Sequence, residues 1–471
     1  MAYCNPLQSG AESPTLRDAA VSTTCVRGGT MRWSRAIVVL TVGLVAAGLA
    51  PVAAGAQGSG NKEALEASDV GITATEIRIG VLADVDNPFQ PGLFEGSPNA
   101  LKAWAKWMNK NGGLAGRKVV IDFIDTKLNA DETRNAIITA CSQDFAIIGT
   151  AALFVNNTDD LVGCADAAGE ATGIPDFPIV TTEPLHQCSP VSHPINPPTL
   201  DCATKDDRPQ TYRTGTAATN YFLKRFGDLH GTFIYPSDLL AAKNSQVPLF
   251  TAQQEAGIKA DVEADVSARA PQSIYTPIIQ QMKDAGSTYG RSGLGSDSTL
   301  ALRKEAKIQG LTGVKVWECS VQCYNTDFLE QGGSDIEDQF VYLTFVPFEE
   351  AKTNKMMSAF LKSTGREQAD GFGAQAWAAA IYFRDIVNGI VEADGLNGIT
   401  RAGVLAGADD VNGFTAEGMI APTDVGDRRA TKCFALLQIK ASKYVRVHPK
   451  KKGTFDCKSA DTVSLELDLI K

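Results

Sequence analysis

The stretch Glu76-Ile77-Arg78-Ile79-Gly80-Val81-Leu82 opens an alternating series of elements that runs to Thr150. Ile77 to Leu82 is a short apolar strand. Ala100 to Asn109 has helical spacing, with Leu101, Trp104 and Met108 on one face. Asn111-Gly112-Gly113 ends that helix, because glycine tolerates the left-handed cap conformation. Val119 to Ile124 is a second strand, Asp131 to Cys141 a second helix, and Phe145 to Gly149 a third strand. This alternation predicts a parallel sheet with helices on both faces. In such sheets the loops after the strands are where ligands bind.

The alternation continues beyond Thr150. Asn157 to Gly169 is expected as a helix and Pro178 to Thr182 as a fourth strand. Gln187 to Asp207 breaks the pattern: it is rich in Pro, Ser and Asp and carries two cysteines, so it reads as a disulfide-pinned surface excursion. Tyr212 to Gly215 precedes a helix from Ala217 to Phe226, and a second alternating series follows. Its expected strands are 231–235, 261–265, a weak 287–289, 314–317 and 339–346; its helices are 240–257, 275–285 and 297–309. Ala374 to Val391 is a long helix with an apolar stripe. Gly418 to Ile420, Cys433 to Ile439 and Lys443 to Val447 have the look of antiparallel closing strands. Two α/β units of similar size fit a bilobed chain better than one enlarged sheet.

Upstream of the first strand lies an export signal. Met31 to Arg35 supplies two positive charges, Ala36 to Leu49 is an uncharged apolar run, and Ala54-Gly55-Ala56 is a small-residue cleavage site. The apolar run is near the lower limit for spanning a bilayer and is followed by Pro51, so cleavage is expected rather than an uncleaved anchor. Residues 1–30 resemble neither signal nor domain, and Met31 is a candidate start. No cysteine follows the apolar run, so the exported form, periplasmic or at the cell surface, is expected without a lipid. Gln57 to Gly71 is polar and reads, with the residues up to 75, as a tether without structure of its own.

Removing residues 1–56 leaves 415 residues with 40 basic and 52 acidic side chains, a net charge of −12. The one basic cluster, Lys450-Lys451-Lys452, is short, so a nucleic-acid partner is excluded on charge grounds. Of ten cysteines, Cys4 and Cys25 lie upstream of the signal. The other eight are Cys141, Cys164, Cys188, Cys202, Cys319, Cys323, Cys433 and Cys457. An even count in an exported chain argues for disulfides. Many connectivities are open; pairing each cysteine with its neighbour in sequence is the simplest. The four histidines are scattered and none lies near Cys319 or Cys323, so no metal site is expected.

No catalytic set is found. There is no nucleophile elbow, no phosphate loop of the GxxxxGK type, no HExxH pair and no calcium loop. Gly290 to Gly295 is glycine-rich but does not open a helix in the dinucleotide pattern, and reads as a strand-to-helix loop. Glu183, Asp238 and Glu318 are acids at strand ends with no second group at useful spacing. Neither an enzyme nor a cofactor is therefore expected.

A signal, two α/β units and polar and aromatic strand-end loops are similar to those of the type I periplasmic substrate-binding proteins of ABC transporters. Within them the chain most resembles the branched-chain amino-acid (Leu/Ile/Val) binding family. The local marks are Ile77 to Val81, the Asn109 to Val119 turn, Tyr212 to Gly215 and Gly371 to Trp377, and the resemblance covers most of Glu76 to Val447. It implies two Rossmann-like lobes joined by three hinge crossovers. Residues 76–213 and about 348–425 would form lobe one, and 214–347 with 426–471 lobe two.

It also implies a site between the lobes. Carried over by position, Phe89 and Phe94 lie in the first loop, and Phe154 and Asn156 follow the third strand, where amino-acid binders place a small hydroxyl. Leu153-Phe154-Val155 in place of that hydroxyl departs from the pattern for a simple α-amino acid. Thr181 and Thr182 match a second hydroxyl and backbone site. The other lobe would supply Tyr235, Asp238, Ser292, Leu294, Trp317 and Glu318, with Phe372 capping the cleft. Each aromatic has core packing as its alternative, and Glu318 a place at the disulfide rim. The implied partners are a small-molecule ligand and a membrane permease, with the binding protein itself a monomer. A ligand sensor of the same fold and a secreted structural protein are the alternatives.

Overall fold

The computed structural model describes residues 64–88, 90–458 and 461–470; the export signal and Phe89 lie outside the described residues. The first series is β1 (Glu76–Ala83), α1 (Gly96–Lys110), β2 (Lys118–Asp125), α2 (Ala130–Gln143), β3 (Ala146–Ile148), α3 (Asp159–Val162), β4 (Asp176–Phe177) and α4 (Pro184–Gln187). Its four strands make a parallel sheet in the order β2-β1-β3-β4. Ile77, Ile79, Val81 and Leu82 are all buried, as a strand covered on both faces requires.

The second series is β5 (Gln210–Gly215), α5 (Ala217–Phe226), β6 (His230–Pro236), α6 (Leu240–Glu255), β7 (Lys259–Val266), α7 (Tyr275–Ala285), β8 (Tyr289–Ser292), α8 (Ser296–Ile308), β9 (Val316–Cys319), α9 (Thr326–Gly332) and β10 (Gln339–Leu343). There follow α10 (Lys355–Thr364), α11 (Gly371–Asp394), α12 (Arg401–Asp409), β11 (Ala435–Lys440), β12 (Lys443–His448) and β13 (Thr462–Leu467). The second sheet runs β12-β11-β10-β9-β8-β6-β7, parallel from β7 to β10 and closed by antiparallel β11 and β12. β13 pairs antiparallel with β5 in a separate two-stranded sheet.

Helix α11 returns to the first sheet. Its apolar residues cover β3 and β4 and pack on α1: Trp377 meets Trp107 at 5.7 Å and Phe383 meets Phe145 at 6.1 Å between ring centroids. The chain therefore passes three times between the two sheets: from β4 to β6, from β10 to α10, and from α12 to β11. The cysteines pair with their sequence neighbours, as 141–164, 188–202, 319–323 and 433–457. Among the described residues no helix is long and apolar enough to cross a membrane.

Gly418 to Ile420 is not a strand, with only Ile420 bridging antiparallel to Phe345, and β8 takes Gly290 to Ser292 out of the expected 290–295 loop. Three further local expectations are corrected. The helix expected over 157–169 is only the single turn α3. Beyond it Asp166 accepts from the backbone N–H groups of Ala168 and Glu170, a loop that competes with helix. The strand expected over 178–182 is replaced by the two-residue β4. Pro178 offers no N–H to a ladder, and Ile179 and Val180 both donate to the Thr150 carbonyl. The expected tether is anchored over 64–75. Asp69 accepts from the Arg401 N–H at 2.7 Å, and the buried Arg117 guanidinium donates to the Glu66 and Thr73 carbonyls.

Candidate functional site

The loops after β1, β2 and β3 meet at Asp84. This fully buried carboxylate accepts from Thr126 Oγ1 at 2.5 Å, Leu128 N at 2.8 Å and Leu153 N at 2.8 Å. Three loops far apart in sequence are thus fixed by one side chain. Thr182 Oγ1 adds a fourth, donating to the Leu153 carbonyl at 2.8 Å. Asn87 holds the first loop by donating to the Gln90 carbonyl and accepting from its N–H. The start of α11 joins them. Asp370 caps it by accepting from Gly373 N at 2.6 Å, and Phe372 meets Phe94 edge-on at 4.9 Å.

Opposite stand the strand ends of the second sheet. Pro236 closes β6, Leu239 to Gln246 begin α6, Ala268 follows β7, and Gly293 to Gly295 follow β8. Ser292 Oγ accepts from Leu294 N at 3.2 Å, which sets that loop. Asp238 accepts from Ala268 N at 3.0 Å and from Ser267 Oγ, which sets the neighbouring one. After β9 the Cys319–Cys323 disulfide closes a tight turn that brings Val321 and Gln322 forward.

Between these two sets lies a cleft of about 400 Å³. Of the residues expected from sequence, Phe94, Thr181, Thr182, Leu294 and Phe372 line it. Buried Ser292 and exposed Asp238 do not line it; each fixes a loop that does. Phe154 is half-buried and Asn156 exposed, and neither lines the cleft; their neighbour Leu153 does. Tyr235 packs on Phe250 at 4.9 Å and donates to Glu263. Trp317 is buried against the second sheet, with the Arg303 guanidinium 4.9 Å from its ring centre. A Cβ at Gly290 would collide with that indole, so glycine there makes room for Trp317.

Glu318 faces a neighbouring cavity of about 290 Å³. It pairs with Arg291 at 3.1 Å and accepts from Tyr289 Oη at 2.6 Å and Gln253 Nε2 at 2.9 Å. Burial, together with the Glu318 carboxylate, drives the Tyr289 phenol well above its ordinary value, so it stays a donor.

None of the residues lining the cleft is Asp, Glu, Lys, Arg or His. It shares Gln90, Leu93, Gly295, Val321, Gln322 and Phe372 with an adjoining pocket of about 410 Å³. There the lining changes: Glu95, Asp297, Asp327, Glu367 and Asp370 contribute carboxyl groups, with no Lys or Arg among them. Burial pushes Asp370 up to about 6. Among the described residues no cluster of His, Cys, Asp and Glu is arranged to hold a metal ion.

A cleft outside the carboxyl ends of parallel strands is where α/β folds bind ligands. Residues 76–444 match the periplasmic binding protein family. The chain belongs to that family. No curated protein matches the chain. Solved structures share the periplasmic binding protein fold. An ABC transporter substrate-binding protein from Aeropyrum pernix aligns at 15% identity and a TM-score of 0.62, over 82% of this chain and 97% of that one. A fatty acid ABC transporter substrate-binding protein from Thermomonospora curvata aligns at 14% and 0.61, over 86% and 95%. A leucine-binding protein from Thermotoga maritima aligns at 16% and 0.58, over 79% and 97%. At such identities the likeness is one of fold.

Asp84, Leu128, Leu153, Gln246 and Gln375 were not singled out from sequence. Alternation located the strands, but which loop residues converge depends on backbone bonds between distant loops. For Asp84 a signal did exist: an acid directly after a strand, in a position to accept loop N–H groups.

Proposed function

We propose that this periplasmic binding protein captures a small organic solute in the cleft outside the cytoplasm and presents it to the permease of an ABC transporter. The observation that carries the reading is the shared cleft, walled by strand-end loops of both sheets and by the first turn of α11. On this reading residues 76–213 with 348–425, and 214–347 with 426–471, move as two lobes about the three connections. A ligand touching both walls favours the closed arrangement because only that arrangement makes both sets of contacts. The family resemblance offers an amino acid or a related amide or acid as cargo, a range that the chemistry of the cleft walls narrows below. The exported, non-lipidated protein acts as a monomer, and its mature form begins after Ala56.

A thermal-shift screen of the mature chain against amino acids, amides and organic acids tests this. A ligand at about 100 times its dissociation constant adds about 2.7 kcal/mol, a shift of a few degrees. The expected result is one chemical class of hits whose shift is lost in Phe372→Ala. Hits that survive Phe372→Ala and Phe94→Ala unchanged would place binding elsewhere.

A further inference from the structure

We propose that the cleft takes an uncharged, largely apolar molecule and discriminates against carboxylates and amino-acid zwitterions. This rests on the cleft being the solute site. The walls carry the argument. The first sheet presents Phe94, Leu128 and Leu153; the second presents Leu239, Leu294 and Val321. The polar groups among them are neutral: Thr181, Gln246, Gln322 and Gln375. Amides and hydroxyls satisfy a carbonyl, an amide or an alcohol, but they do not neutralise a buried charge.

Two cations near the cleft are committed to carboxylates. Lys243, next to the lining Ala242, pairs with Asp265 at 2.6 Å. Arg291 lies outside the cleft, in the adjoining cavity, and is paired with Glu318 at 3.1 Å. Thr182, placed to receive a carboxylate, already donates its hydroxyl to the Leu153 carbonyl. The adjoining pocket carries Glu95, Asp297, Asp327 and Glu367, with no basic residue among those that line it. An anion would lie beside these carboxylates and lose its hydration in a cleft without a counter-ion. A zwitterion would need two fixed charges there and finds neither. A neutral apolar molecule meets no such barrier and gains from burial against the aliphatic walls.

The test is calorimetric titration of the mature protein with matched sets at pH 7.5 and 0.15 M salt. One set is 4-methylpentanamide, 4-methylpentanoate and leucine; another is 3-phenylpropanamide, 3-phenylpropanoate and phenylalanine; Nile red serves as a larger neutral probe. The expected result is that a neutral probe binds at least about tenfold tighter than its charged counterparts. In Gln246→Lys, which adds a cation to the wall, the carboxylate should recover affinity relative to the amide. Acid or amino acid binding as tightly as the amide in the parent protein would overturn the ligand class and leave the cleft as a solute site. If no probe of any charge binds, the solute-site reading of the cleft falls, and this inference with it.

Discussion

Asp84 does more to shape the cleft than any residue that touches it. Its carboxylate is the acceptor for Leu128 N, Leu153 N and Thr126 Oγ1, and two of these residues carry the cleft-facing leucines. Asp84→Ala would leave two buried N–H groups without a partner, each costing about 1–3 kcal/mol. The expected outcome is a stability loss of about 2–5 kcal/mol by urea denaturation, with weaker ligand binding in the protein that remains folded. Asp84→Asn keeps one acceptor oxygen and should lose less of both. Phe94 and Phe372 were legible as cleft residues because they fall at positions set by the order of the elements. Trp317 and Glu318 were equally placed in sequence, but one residue of strand register decides which face a side chain takes. Trp317 went into the packed face over Gly290, and Glu318 into the ion pair with Arg291.

Among the helices and strands, α11 shows how local signals and tertiary contacts divide the work. Its length and apolar stripe were readable. Its start was not, because the expected helix began at Ala374 whereas the cap is Asp370, followed by Gly371-Phe372-Gly373. That added turn carries Phe372 into the cleft, and a Cβ at Gly96 would collide with the Asp370 carboxylate. Asp370→Ala removes the cap and should cost about 1 kcal/mol, with lower ligand affinity because Phe372 loses its mounting. Asp370→Asn keeps the acceptor and isolates the charge. Burial raises the folded-state carboxyl to about 6 from 3.8, so the native chain binds the extra proton between these values. Stability from this group therefore declines as pH rises from about 4 to 6. From pH 4 to pH 7 the urea midpoint should therefore rise more, or fall less, in Asp370→Asn than in the parent. Elsewhere, β13 was missed although Val463, Leu465 and Leu467 alternate with polar residues, because its partner β5 is about 250 residues away in the chain.

The described residues form two large sheets joined by three connections, with the β5–β13 pair beside them, and the sequence made the alternation plain without showing how the connections are braced. One brace is a buried ion pair. Glu350, in the connection after β10, receives Arg446 of β12 at 2.6 and 2.7 Å and also accepts from Gly453 N at 2.8 Å. Both side chains are nearly fully buried, at 4% and 2% exposure, so neither charge has water to fall back on. Glu350→Ala leaves the guanidinium unpaired and should destabilise the fold by about 3–5 kcal/mol in chemical denaturation. A second brace is Arg428, in the connection after α12, which donates to the Ser189 and Ser192 carbonyls near the Cys188–Cys202 loop. Sequence separations of more than 90 residues hide both braces from any reading of local pattern.

The Cys319–Cys323 turn gives the cleft a dependence on where the protein is. Its bond holds the bend that carries Val321 and Gln322 to the ligand wall. Thiols stay reduced in the bacterial cytoplasm and are oxidised once the chain is outside it. On the proposed function, a copy still in the reducing cytosol lacks the bond that closes this turn, whereas an exported copy has it. On that reading, the wall that meets the solute is completed on the side of the membrane where the solute is gathered.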